Sequence, residues 1–225
     1  MPTPSAPGAP SGAPSTRPAG TPGLAALGRQ SVTGLRVLLA FTLLLGLAYP
    51  LAVTGVAQLT MPWRANGSLV TATGERTTAR ADAVGSVLIG QSFDGAAWFH
   101  PRPSAAGDGY DTLASAGSNL GPLSPELVAA IDERRAAVAA EEGVDPGRVP
   151  PDALTASASG LDPHISPAYA ALQVRRVAAA RGLPEDAVRD LVAAHTAARP
   201  LGVLGDPVVN VLELNLALEQ TAARG

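Results

Sequence analysis

Residue types able to do chemistry concentrate in two places. The first is Gly90–Pro122, GQSFDGAAWFHPRPSAAGDGYDTLASAGSNLGP, where Trp98, Phe99, His100 and Arg102 stand among glycines and prolines. Neither helical nor strand periodicity survives there. Structureless segments of this length in a compact domain either bind something or are disordered, and disordered linkers are poor in aromatics. The pattern predicts an ordered loop shaped for a partner. The second place is Thr155–Pro167, TASASGLDPHISP, with Ser157, Ser159, Asp162, His164 and Ser166. Serine, histidine and aspartate are the parts of an acyl-transfer triad, but a triad is defined in space and no G-x-S-x-G elbow occurs. A turn accounts for the segment better: Gly160 and Asp162-Pro163 break the chain, and Ser166 caps a following helix.

The remaining candidates are weaker. One histidine beside one aspartate is too little for a metal site, and none is expected. Asp94, Asp108 and Asp111 could attract cations, but Asp108-Gly109-Tyr110-Asp111 departs from the EF-hand pattern. Gly117-Ser118-Asn119-Leu120-Gly121 could turn backbone amides toward an anion on the strength of a single glycine pair. Asn66-Gly67-Ser68 is formally a glycosylation sequon and reads more simply as a turn. His195 falls on the apolar face of a helix and reads as a core or boundary residue.

Composition removes whole classes of chemistry. The chain has no cysteine, so thiolate nucleophiles and cysteine-based metal centres are excluded. All 16 basic residues are arginine, which excludes a Walker A lysine, a Schiff base and a lysine general base. The four arginines up to Arg64 face no acid, whereas the residues beyond it carry all 19 acids against twelve arginines, a net charge of −7. So acidic a domain argues against a nucleic-acid partner.

The elements that must position these residues are punctuated by proline and glycine. Val84–Gln91 reads as a strand. Ser124-Pro125-Glu126 opens a helix with Leu127, Ile131 and Val138 at helical spacing and Gly143 as its stop. Ser166-Pro167 opens a second, with Leu172 and Val177 inward and Gly182 as the stop, and Pro184-Glu185-Asp186 a third, with Val188, Leu191, Val192 and His195 on one face. Leu201–Leu204 suggests a short strand before a Gly205-Asp206-Pro207 turn, and Asn210 caps a last helix. Helices mixed with a few strands predict an α/β or mixed α+β domain.

Ahead of that domain, residues 1–34 form a Pro/Gly/Ala-rich tail expected to be disordered. Residues 35–63 follow as a span in which Val37–Trp63 carries no charge. About 20 such residues cross a bilayer core, so a single transmembrane anchor is favoured over a buried helix or a cleaved signal peptide. Pro50 kinks the span, Gly46, Ala48 and Gly55 could admit a neighbouring helix, and Trp63 falls where an interfacial aromatic belongs. Arg17, Arg29 and Arg36 ahead of the span place the N-terminus in the cytoplasm of a single-pass protein and residues 64–225 outside the cell membrane.

Several of these segments, in this order, resemble the C subunit of the Kdp potassium-transporting ATPase, the KdpC family. The resemblance rests on LAYPLAVTGVAQ, ANGSLV, GSVLIGQSF, WFHPRPSA, ASAGSNLGP, TASASGLDPHISPAYA, QVRRVAAARG and LGVLGDPVVNVLELNLAL, collinear over about residues 35–218. It implies an accessory, non-catalytic subunit of an ATP-driven potassium importer, working with a channel-like A subunit and a P-type ATPase B subunit that hydrolyses ATP. It implies roles in assembly and as a catalytic chaperone raising the ATP affinity of the ATPase subunit. A chain without lysine cannot supply the D-K-T-G motif of a P-type pump. No cofactor is expected to bind tightly, and an outward-facing domain leaves ATP only a shared or indirect role. On this reading the 90–122 loop docks on the channel-like subunit, with Trp98, Phe99 and Arg102 as anchors of the type that dominate interfaces. Gln91, Phe93, His100, Asn119, Asp162 and His164 are further docking candidates. The acidic domain would also concentrate cations nearby, an effect that salt erases. The alternative is a membrane-anchored extracytoplasmic hydrolase or binding module unrelated to potassium.

Overall fold

A computed structural model describes residues 23–222, which separate into two units, one ending at Gly55 and the other starting at Val56. The first 22 residues of the expected tail lie outside the described residues.

The first unit is helical. Helix α1 (Leu24–Leu43) passes through a π turn (Leu44–Ala48) into α2 (Tyr49–Thr60). Its start at Leu24 lies inside the stretch expected as tail, because beyond Pro22 the sequence Leu24-Ala25-Ala26-Leu27 favours helix and contains no further proline until Pro50. The π turn has a local cause. Pro50 offers no N–H to the Gly46 carbonyl and its ring crowds that carbonyl. The backbone widens ahead of it, and the Tyr49 N–H bonds to the Leu44 carbonyl five residues back. The expected kink is thus resolved as a wider turn. Gly55 has open space on the side where a Cβ would stand, and at Gly46 the nearest contact is the Thr42 methyl at 3.9 Å. Leu24–Thr60, 37 residues in all, is long and apolar enough to cross a membrane.

Helix α2 stops at Thr60 because Pro62 disfavours helical geometry at Met61, whose φ is −146°. Pro62 then opens the short α3 (Pro62–Ala65). Trp63 packs within the second unit. Its indole N–H donates to the Leu69 carbonyl at 2.7 Å, and the Arg76 guanidinium lies 4.3 Å from the ring centroid. Asn66 ends α3 by donating to the Pro62 carbonyl, and Ser68 of the sequon is buried.

Besides α3, the second unit holds two small antiparallel sheets and four longer helices. Strands β1 (Leu69–Thr71), β2 (Arg76–Thr77) and β3 (Ala83–Ser86) form one sheet in the order β2-β1-β3. The strand expected over Val84–Gln91 therefore ends at Ser86, where the Ser86 hydroxyl bonds to the Gly67 carbonyl and the chain turns. No helix or strand follows until Pro125. Helix α4 (Pro125–Glu142) ends at Gly143 in the left-handed region. Strand β4 (His164–Ile165) precedes α5 (Pro167–Arg181), whose first turn is capped by Ser166 Oγ accepting from the Tyr169 N–H. Helix α6 (Glu185–Ala194), β5 (Thr196–Ala197), β6 (Val208–Asn210) and α7 (Val211–Ala222) complete the chain, with sheet order β4-β6-β5.

The strand expected at Leu201–Leu204 is absent. Pro200 and Gly202 bend that stretch into a 3-10 turn, and the strand falls on the β-branched pair Val208-Val209 instead. His195 terminates α6 rather than extending its apolar face, with Nδ1 2.9 Å from the Leu191 carbonyl. Asn210 caps α7 as expected, accepting from the Glu213 N–H at 3.1 Å. The core gathers Ile165, Val174, Val177, Val188, Val209, Leu214 and Leu218 from α5, α6, α7 and the second sheet.

Candidate functional site

The long loop is ordered, and side chains from three helices hold it. Phe99 donates its N–H to Asn215 Oδ1 and accepts from Asn215 Nδ2, both at 2.9 Å. At His100 the same exchange is made with Gln173, at 2.7 and 3.1 Å. Both amides are fully buried, so two successive loop residues obtain from α7 and α5 the pairing that neighbouring strands would otherwise supply. Arg176 completes the clamp. Its Nη1 reaches the carbonyls of Ala96 and Trp98 at 2.8 and 2.9 Å, Nη2 reaches Gln173 at 2.8 Å, and Nε reaches Glu142 on α4 at 2.9 Å. Arg181 donates to the Ala97 carbonyl and lies 4.4 Å from the Trp98 centroid. None of these five helix residues was expected at the site. Their one sequence signal is a polar residue set within an apolar helical face, as Asn215 is within Leu214-Asn215-Leu216.

The structure also brings the two dense segments together. Arg102 Nη1 pairs with Asp162 at 2.9 Å and Nη2 donates to the Thr155 carbonyl at 3.3 Å. Ser104 and Ser115 donate to the carbonyls of Gly160 and Ser159 at 2.7 and 2.9 Å, and the Gly90 N–H donates to the Leu161 carbonyl at 2.8 Å. Tyr110 closes the loop on itself by donating to the Arg102 carbonyl at 2.6 Å. Within 155–167 the polar groups serve local geometry. Asp162 accepts from the His164 N–H at 3.0 Å, with the ring Nδ1 3.5 Å away, and Ser166 Oγ donates to Asp152 at 2.9 Å. Among the described residues no three His, Asp or Glu side chains converge as a metal ion requires.

Several assignments change as a result. Phe99 is fully buried in the core and cannot be a surface anchor. Arg102 is engaged in an ion pair with Asp162, and the two side chains keep 23% and 28% of their surface exposed. Gln91 packs against β3, its Oε1 2.7 Å from where a Cβ on Gly85 would stand. Trp98 and Phe93 are half-buried with ring centroids 5.8 Å apart. Asn119 is exposed with φ +53°, and His164 is half-exposed.

Between this loop and α4 lies an open groove of about 370 Å³ lined by Phe93, His100, Tyr110, Arg134, Glu141 and Tyr169 among others. His100 Nε2 lies 3.0 Å from the Gly95 carbonyl and Nδ1 lies 3.4 Å from Glu141. Arg134 reaches the Leu154 carbonyl and pairs with no acid among the described residues. The groove thus offers aromatic faces and one uncompensated guanidinium, features suited to recognition. Leu113 and Leu123, on the same loop, are 97% and 91% exposed.

Two carboxyls here respond to pH in opposite senses. Burial is the main influence on Glu142 and raises its pKa above the ordinary 4.5, with Arg176 opposing. Its contribution to stability is present below about 4.5 and is lost as pH rises through the raised folded value. Burial also pushes Asp162 upward, but hydrogen bonds from His164 and Arg102 outweigh it and hold the pKa below the ordinary 3.8. That contribution is present above 3.8 and is lost as pH falls through the lowered value. In thermal melts across pH, Glu142→Gln is therefore expected to flatten the decline above 4.5, and Asp162→Asn the decline on the acid side.

Sequence comparison decides the family. The family profile described as K+-transporting ATPase, c chain (KdpC) matches residues 31–220. The chain belongs to the KdpC family. The "Potassium-transporting ATPase KdpC subunit" of Kineococcus radiotolerans is 60% identical over 194 residues, covering 86% of this chain and 95% of that protein. The proteins of the same description from Beijerinckia indica and Mycobacterium tuberculosis are 54% and 50% identical, over 81% and 85% of this chain and 89% and 98% of theirs. The match spans helix, loop and C-terminal elements alike, so the chain is a subunit of the Kdp potassium-transporting ATPase complex.

Proposed function

We propose that the chain anchors itself through one transmembrane helix, with its N-terminus in the cytoplasm and residues 64–225 outside the cell membrane. There it docks on the channel-like subunit, helps assemble it with the P-type ATPase subunit, and raises the latter's ATP affinity indirectly. The link to ATP runs through a conformational equilibrium of the whole complex, since a ligand or subunit that favours one state strengthens whatever else favours it. The observation supporting a docking role is the rigid loop. A segment without a strand or helix is pinned by Asn215, Gln173 and Arg176, yet leaves Leu113 and Leu123 in solvent. A pre-organised loop loses little conformational freedom on binding, and Leu113 and Leu123 are apolar side chains it holds out for a partner.

The docking surface is accordingly the outer side of the loop, with Trp98 and Phe93 at the groove edge and Leu113 and Leu123 beyond it. Leu113→Ser touches no core contact, and as an interface anchor it should weaken co-purification with the partner subunits by about tenfold or more. Trp98→Ala should do the same and also lower transport. Intact complex and unchanged potassium uptake in both variants would rule out docking through this face. A topology reporter fused after Gly225 should read an extracytoplasmic location.

A further inference from the structure

We infer that a second cavity, on the face formed by the β1–β2 turn, the end of α6 and α7, is a binding site for a guanidinium or primary ammonium group. The cavity holds about 470 Å³ and is lined by His195, Glu213, Gln220, Thr73, Val70 and Leu216 among others. It shares no residue with the groove beneath the long loop, and the inference does not depend on how that loop docks.

The polar groups of this cavity each commit a donor to a backbone carbonyl and keep an acceptor free. His195 Nδ1 lies 2.9 Å from the Leu191 carbonyl, and a carbonyl can only accept, so Nδ1 carries the hydrogen. In that tautomer Nε2 is the acceptor. The Gln220 amide nitrogen donates to the Thr73 carbonyl at 2.6 Å, which leaves Gln220 Oε1. Thr196 Oγ1 donates to the Val192 carbonyl at 2.8 Å. The Glu213 carboxylate pairs with no arginine or histidine among the described residues, whereas Glu219 on the same helix pairs with Arg181 at 2.8 Å. A carboxylate, an imidazole lone pair and an amide oxygen around one opening call for a positively charged group bearing several N–H donors. Val70, Leu216 and Ala217 offer apolar wall for the alkyl stem that such a group usually carries. At Gly74 a Cβ would stand 3.1 Å from Gln220 Nε2, so the bare glycine keeps this wall clear.

A basic side chain of a neighbouring subunit and a free organic cation share this chemistry. The test titrates agmatine, which carries a guanidinium and an ammonium on a short alkyl stem, into the detergent-purified full-length chain at constant ionic strength. Choline, a cation without N–H donors, is the control. The expected result is a saturable rise in melting temperature in the millimolar range with agmatine and none with choline. Glu213→Gln, an exposed position on α7, should weaken agmatine binding about tenfold, and losing a carboxylate from the first turn of α7 should lower the melting temperature of the unliganded chain only slightly. Equal responses to agmatine and choline, or undiminished binding by Glu213→Gln, would overturn the inference. Repeating the titration on the assembled complex separates the two sources. Exclusion of agmatine there, with poorer co-purification of the Glu213→Gln chain, identifies a partner's basic side chain; retained binding with normal assembly identifies a soluble cation.

Discussion

Arg176→Met is expected to destabilise the folded second unit by about 3–5 kcal/mol, the usual result of removing one partner from a buried ion pair. Only 8% of the Arg176 side chain and 2% of the Glu142 side chain are exposed, so little solvent is on hand to replace the lost guanidinium. Glu142 would keep a desolvated carboxyl whose Oε2 already lacks a hydrogen-bond partner. The carbonyls of Ala96 and Trp98 would lose their donor at the same time. Chemical or thermal unfolding of the purified chain measures the cost. It should grow as pH rises, because without Arg176 the ionised Glu142 has lost its main opposing charge. In an Arg176→Met, Glu142→Gln chain, part of the stability should return, since the orphaned charge is gone. A cost below 1 kcal/mol, or a double variant no better than the single, would mean the clamp does not hold the loop.

Gly160→Ala should be nearly as severe, at about 3 kcal/mol, and for a different reason. Gly160 has φ +68°, a conformation that alone costs an alanine about 1–2 kcal/mol. Its Cβ would also stand 2.6 Å from the Ala116 carbonyl oxygen and 2.7 Å from the Ala106 nitrogen, both backbone atoms of the long loop. Overpacking of this kind adds about 1–3 kcal/mol. The 90–122 loop and the 155–167 turn would have to part here, which predicts protease cleavage within the loop before global unfolding. The two substitutions attack opposite sides of the same loop: Arg176 holds the 95–100 stretch from α5, and Gly160 lets the stretch around Ala106 and Ala116 close on the turn.

What could be read in advance was local chemistry. Ser166-Pro167, Pro125 and the glycines at 143 and 182 bound their helices as expected, because caps and left-handed stops act within one turn. The aromatic content of 90–122 correctly signalled an ordered segment. The support for that order was not legible. Asn215 reaches across 116 residues to Phe99, and Gln173 across 73 to His100, and such pairings leave no periodic trace in either partner. Phe99 looked like an anchor because its neighbours suggest a surface, yet its backbone is drawn between α5 and α7 and its ring fills the core. Strands of two to four residues are too short to declare a period, which is why Leu201–Leu204 drew attention away from Val208–Asn210. The cavity beside His195 depends on which donors are already spent, something only the hydrogen-bond pattern reveals.

The wide turn at Leu44–Ala48 governs which neighbours the long apolar helix can address. Such a turn takes up one residue more than an α turn, so the surface beyond it is rotated by about 100° from where an unbroken helix would place it. Residues on the two sides of Pro50 therefore do not share the stripe that their sequence spacing implies. A companion helix lying along Leu24–Leu43 would meet a different set of side chains past Tyr49, and that second set is left to another helix or to lipid. Pro50→Leu would do more than straighten the helix. By restoring an unbroken spiral it would rotate the Gly55 face by about 100° relative to the first half of the helix.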